Sequence, residues 1–263
     1  MTSAAEVYLQ EHEEELLRAY FDLLRIPSVS ALPQHQDDVR RAAEWVAERL
    51  RHIGVPHVEL LPTERNPVVY GEWLVDPAKP TALLYGHYDV QPPDPLDLWE
   101  TPPFEPTVRN GRVYARGASD DKGNLFAALC GVEALVRTQG KPPINLKFFF
   151  EGEEEIGSPS LAPVIEAHRQ KLACDFVISA DGGMYDYDLP SVTLSSKGLC
   201  ACEVVLRTAA TDLHSGQYGA AVPNAVQSLV QLAATFHTPE GKVAIAGFYD
   251  KVRELTPEER AEI

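Results

Sequence analysis

The chain has 263 residues, 44% hydrophobic and 24% charged, enough to bury the core of one large domain or one and a half ordinary ones. Its net charge of -16 excludes a nucleic-acid partner, because phosphate binding needs concentrated lysine and arginine. The acidic start, MTSAAEVYLQEHEEELLRAYF, has no basic region or apolar core of a secretory signal, no apolar run reaches the length of a membrane span, and Cys130, Cys174, Cys200 and Cys202 lack zinc-knuckle spacing; a cytoplasmic protein with reduced, mostly buried thiols is expected.

In chain order, Ser3 caps a predicted helix ending near Leu24, with Leu9, Leu16, Leu17, Tyr20, Leu23 and Leu24 at helical spacing, and this helix should lie across the sheet. Pro27 then breaks it. A second helix over residues 36–53 has Val39, Ala42, Ala43, Val46, Ala47, Leu50 and Ile53 on one face and Gly54 as its cap. Short strands are predicted at 57–61 and 68–74. A third, TALLY at 81–85, runs into Gly86, His87, Tyr88 and Asp89, and in extended chain His87 and Asp89 point to one side. An imidazole with a carboxylate beside it is a common metal-ligand pairing, although His-x-Asp alone is frequent by chance. Residues 91–106 form a proline-rich loop in which Trp99 and Phe104 serve as packing anchors. RGASDDKGN at 116–124 is a turn with two acids at its centre, opening an amphipathic helix of Leu125, Leu129, Val132, Leu135 and Val136; such acids also suit a plain helix cap.

The stretch at 146–158, LKFFFEGEEEIGS, organises the rest. Its apolar run reads as a strand covered on both faces, in the middle of a domain. Glu151, Glu153, Glu154 and Glu155 follow at its carboxyl end, where open α/β sheets place ligands. Crowded carboxylates need a cation, a basic cluster or protonation there, a metal site being the most economical, unless the segment is simply an acidic turn in water. A helix from Ser160 to about Leu172 and a buried strand, CDFVISA at 174–180, lead to Asp181. Strands alternating with helices imply a parallel sheet, and if the strands are neighbours, His87, Asp120, Glu154, Glu155 and Asp181 converge on one rim. Beyond residue 195 a strand at 199–207, the loop TDLHSGQY and a helix at 224–236 start a second domain.

Together, GHYDVQPPDPLDLWETPPFEP, RGASDDKGN, EGEEEIGS, SADG and DLHSG resemble, in order and separation, the M20 family of metallopeptidases, and the long form of the first motif is most similar to its dipeptidase branch. The resemblance implies an α/β catalytic domain, with a mainly parallel-centred sheet flanked by helices, over residues 1–195. It also implies the beginning of an inserted α+β lid and dimerisation domain over 196–263. It further implies two divalent ions, zinc first, with manganese or cobalt also accommodated. His87 and Asp181 would bind one ion, Glu155 the other, and Asp120 both. Glu154 would be the general base, Asp89 the carboxylate supporting His87, and His214 a lid histidine reaching the partner protomer's site in a homodimer. Alternation along the chain would instead pair Glu153 with Glu155. The family also implies a cis peptide between Asp120 and Asp121. The expected activity is hydrolysis of dipeptides or short peptides, with N-acyl amino acid deacylation as the rival. Family members run longer and supply a last ligand histidine. The chain therefore reads as an N-terminal fragment, for which an inactive product is the other expectation.

Overall fold

In the computed structural model, which describes residues 3–186, 189, 191–193 and 198–261, the acidic start forms α1 (Ala4–Glu11) and α2 (Glu13–Leu24) in place of one helix. Ser3 and Glu6 make a reciprocal capping box at the head of α1. The helix divides at His12, whose ring stacks on Tyr8 and whose Nδ1 lies 2.9 Å from the Tyr8 carbonyl oxygen. α3 (Gln36–Ile53) runs over the predicted residues and ends at Gly54, whose φ of 101° makes the left-handed cap.

The remaining elements of this part are β1 (His57–Leu61), β2 (Val68–Trp73), β3 (Thr81–His87), β4 (Thr107–Arg109), β5 (Arg112–Tyr114), α4 (Lys122–Gln139), β6 (Asn145–Glu151), α5 (Leu161–Ala167) and β7 (Phe176–Ser179). Five of the strands form one sheet in the order β1-β2-β6-β3-β7, so the phenylalanine-rich strand does lie at its centre. β6 is antiparallel to β2 and parallel to β3, and β3 is parallel to β7, giving a mixed sheet with a parallel half. α3 and α4 cover one face, and α1 and α2 therefore pack chiefly on α4, not across the strands as expected. Buried Glu133 of α4 fastens them: it accepts from Arg49 of α3 and, at 3.3 Å, from the Tyr8 hydroxyl of α1.

β6 reads as an unbroken apolar run because alternate side chains enter two cores. Phe148 and Phe150 join the cluster under α3 and α4, while Phe149 joins Leu61, Tyr70, Leu83 and Val164 on the other face. Each such ring contributes about 1.5–3 kcal/mol of burial. The last strand differs from expectation. β7 is exposed along its length, because it sits at the sheet edge and none of its residues joins either core.

The β4–β5 hairpin is an element beyond those expected, although its turn carries a local signal. Asn110 and Gly111 take φ of 51° and 74°, the left-handed pair a two-residue hairpin turn requires. α5 is also shorter than expected, ending at Ala167.

The chain divides into compact units over residues 1–194 and 195–263; positions 195 and 196, where the domain change was expected, lie outside the described residues. The second unit contains α6 (Ser215–Tyr218), α7 (Ala225–Ala234) and α8 (Pro257–Ala261), with the Asn224 carboxamide oxygen capping α7 by accepting from the Gln227 amide at 3.1 Å. The strand expected at 199–207 does not form. A strand needs a hydrogen-bonded neighbour, and no described segment pairs with this one. Among the described residues, no helix is long and apolar enough to cross a membrane.

The cysteines also depart from expectation, since Cys174, Cys200 and Cys202 are exposed and only Cys130 is half-buried. Burial pushes the Cys130 thiol up to about 11. The thiolate is the nucleophile, so at pH 8 Cys130 holds roughly a thousandth of its population in reactive form. Alkylation followed by mass spectrometry should show three cysteines modified fast and Cys130 slower by roughly two orders of magnitude. Equal rates would contradict the packing of α4.

Candidate metal centre

The three parallel strands deliver their carboxyl ends side by side. β3 stands between β6 and β7 with His87 opposite Glu151 and Tyr85 opposite Ser179, and the Ala180 amide extends the pairing by donating to the Tyr85 carbonyl at 2.8 Å. That register carries Asp181 level with His87 on one side and the acidic turn level with it on the other. The start of α4 supplies the third wall, with a cis peptide between Asp120 and Asp121 as expected.

His87 is fully buried, and carboxylates surround its Nε2: Asp120 Oδ1 at 3.0 Å, Glu154 Oε2 at 3.9 Å and Asp181 Oδ2 at 3.9 Å. Its other nitrogen, Nδ1, is 3.1 Å from the Asp89 main-chain oxygen and 3.3 Å from Asp89 Oδ1. The ring is thus oriented from behind and leaves Nε2 facing the acids. Asp89, itself buried, also accepts from the amides of Glu154 at 3.3 Å and Glu155 at 3.1 Å, so one carboxylate orients the imidazole and the acidic turn together. Ligand atoms of His87, Asp120 and Asp181 lie within 4.8 Å of one another, as do those of His87, Glu154 and Glu155. His214 belongs to the second unit, where it is exposed and its Nδ1 accepts from the Gly216 amide at 3.1 Å.

Electrostatics make this a site for positive charge. Burial disfavours a charged imidazole, but the Asp89 hydrogen bond and the charges of Asp89, Asp121 and Glu154 outweigh it and push His87 up to about 10. Burial, then the charges of neighbouring acids, raises Glu154; burial and Asp120 raise Glu155 against the Gln91 hydrogen bond. One imidazole and four carboxylates crowded this closely suit divalent cations with mixed nitrogen and oxygen ligands. An imidazole nitrogen has a single lone pair and serves one ion, whereas a carboxylate has two oxygens and can serve two.

The surrounding residues explain the local folding. Gly152 begins the acidic turn, and a Cβ there would lie 2.4 Å from Cε2 of the Tyr88 ring, which is fully buried beneath it. Glu151 accepts from the Tyr85 hydroxyl at 2.7 Å and the Ser158 hydroxyl at 3.0 Å, so it belongs to the strand end and not to the rim of ligand atoms. Several residues given no role from the sequence support the centre. Asp121 Oδ2 accepts from the His87 amide at 3.0 Å while its Oδ1 is buried with no hydrogen-bond partner among the described residues, and burial raises this carboxyl to about 7. Fully buried Lys122 donates to the carbonyls of Leu23 at 3.1 Å and Ile26 at 2.5 Å, tying the loop of Asp120 to the end of α2, and burial lowers it to about 7. Gln91 donates to Glu155 Oε2 at 2.7 Å. Their signal was position inside the motifs, which alone does not separate brace from ligand.

An acid-lined imidazole at the carboxyl ends of parallel strands is the arrangement of a divalent-metal site in an α/β domain. Residues 83–252 match Peptidase family M20/M25/M40, and the chain belongs to that family. It is 34% identical over 263 residues to the Cys-Gly metallodipeptidase dug1 of Schizosaccharomyces pombe, covering 95% of this chain and 55% of the relative. With the human Beta-Ala-His dipeptidase it shares 30% over 266 residues, 96% of this chain and 52% of the relative. Among solved structures, the M20 family metallo-carboxypeptidase Sso-CP2 from Sulfolobus solfataricus superposes with a TM-score of 0.77 at 37% identity, over 94% of this chain and 55% of that one. The chain therefore spans about half the length of the curated relatives it matches.

Proposed function

We propose that this chain carries the metal-binding catalytic part of a dipeptidase that hydrolyses dipeptides or short peptides. The observation that carries the reading is the ring of Asp120, Glu154 and Asp181 oxygens at 3.0–3.9 Å from the oriented Nε2 of His87. His87 and Asp181 would hold one divalent ion, Glu155 the second, and Asp120, with an oxygen for each, both. Zinc is the first choice, with manganese and cobalt compatible with the same donors. Such ions, when bound, make water acidic enough to yield hydroxide near pH 7 and polarise a carbonyl. Glu154 then accepts the proton as water attacks the peptide carbonyl and returns it to the leaving amine. Asp89 holds His87 and the Glu154 amide in register throughout. His214 would stabilise the developing oxyanion from a partner protomer in a cytoplasmic homodimer formed through residues 196–263, the lid and dimerisation portion next to a catalytic portion at 1–195.

Two of the relatives named above are dipeptidases and the third is a metallo-carboxypeptidase, which favours a peptide over an N-acyl amino acid as substrate. The test is a panel of dipeptides and N-acyl amino acids, assayed with added zinc or manganese and again after chelation. Metal-dependent cleavage of dipeptides should exceed that of N-acyl amino acids by roughly ten-fold or more. Faster N-acyl turnover would overturn the substrate reading, and zinc binding without any turnover would mark this chain as an inactive part of the enzyme.

A further inference from the structure

Glu153 has no role in the proposed chemistry, yet it is the most buried of the three consecutive glutamates, at 2% exposure beside half-exposed Glu154 and Glu155. Its side chain turns away from His87. Oε1 accepts from the Asn66 amide at 2.9 Å and the Ser160 hydroxyl at 3.1 Å, and Oε2 accepts from the Ser160 amide at 3.1 Å. Asn66 also donates from Nδ2 to the Gly152 carbonyl at 3.1 Å. The Glu153 carbonyl meanwhile accepts from the amides of Ile156 at 3.1 Å and Ser158 at 2.8 Å. One residue thus fastens the loop after β1, the head of α5 and both ends of the turn that carries Glu154 and Glu155. A buried carboxylate satisfied by several donors is a rigid anchor, whereas the same site without it leaves those donors unpaired.

We propose that Glu153 is a positioning residue that presents Glu154 and Glu155 to the metal centre, clamping their turn from the side opposite Asp89. The inference rests on the metal-site reading above. Ligand carboxylates bind tightly only when their backbone is held, and supporting residues of this kind change metal affinity by roughly ten- to a hundred-fold.

The test is calorimetric titration of this chain with zinc alone, alongside thermal denaturation without metal, for wild type, Glu153→Ala, Glu153→Gln and Val136→Ala. Val136 is buried at the far end of α4 from Asp120 and serves as a destabilised control. Glu153→Ala should weaken zinc roughly ten-fold or more. Glu153→Gln keeps one acceptor but sets an NH2 against the Ser160 amide, and should weaken zinc roughly three-fold or more. Val136→Ala should stay within about two-fold of wild type even where its melting point falls as far. Zinc bound by a folded Glu153→Ala protein as tightly as by wild type overturns the proposal. If that variant does not fold, Glu153→Gln decides, and wild-type affinity there overturns it equally. A wild-type chain that takes up no zinc brings down the metal-site reading and the clamp with it, a result distinct from a variant that binds normally.

Discussion

Zinc supplied at about a thousand times its dissociation constant is expected to raise the melting point of this chain by roughly 8–16 °C, and His87→Ala to abolish the rise. A ligand at that excess adds about 4 kcal/mol to the folded state, and a unit of this size shifts about 2–4 °C per kcal/mol. The physical reason is the crowding at the rim. His87 is the only nitrogen donor in the groups of ligand atoms that lie within 4.8 Å among the described residues, so its removal takes the imidazole from the ion it would share with Asp120 and Asp181. The effect should depend on pH with a definite sign. Burial and neighbouring acids hold Glu154 and Glu155 above the usual carboxylate range, so both take up protons early as the solution is acidified. Protonated carboxyls relieve the repulsion in the metal-free chain and cease to be ligands, so the gap between zinc-loaded and metal-free melting points closes from the acid side. Differential scanning fluorimetry between pH 5 and 8 measures it. A wild-type protein unmoved by zinc and manganese, or a His87→Ala protein that keeps the full rise, would remove the metal centre.

Much of this rim was legible because parallel strands put their ends together, and the sequence marks those ends by apolar runs stopping at His87, at the EGEEE acids and at Asp181. Strand order was not legible, because pairing is decided by packing across the whole sheet. That β6 is flanked by antiparallel β2 on one side is visible only in the register of Val69 opposite Phe150. Apolar composition misled at β7, where Phe176, Val177 and Ile178 have the pattern of a covered strand but stand at an edge. Alternation misled at the glutamates. β6 ends at Glu151 and a tight helical turn begins at Glu154, so the period of two that would pair Glu153 with Glu155 no longer applies, and Glu153 turns to Asn66 and Ser160 instead. The Asn110-Gly111 hairpin, by contrast, was local chemistry that needed no tertiary information.

Glu154→Gln is expected to lower kcat by roughly 10²–10⁴ while leaving the zinc-induced rise in melting point unchanged, measured on a form of the protein that turns over dipeptides. Glutamine keeps the volume and one acceptor oxygen but cannot take a proton. Glu154 suits the base because burial raises it toward neutrality, its side chain is half-exposed, and its Oε2 stands 3.9 Å from His87 Nε2. Proximity alone does not separate it from its neighbour, since Glu154 and Glu155 share one group of ligand atoms with His87. The difference lies in their surroundings: Gln91 donates to Glu155 Oε2 at 2.7 Å, a bond that fixes a ligand and would hinder a proton carrier. Glu155→Gln should therefore lose turnover together with the second ion's share of the zinc response, and Glu154→Gln turnover alone. The opposite pattern, with the zinc response lost at Glu154 and kept at Glu155, would exchange the two roles.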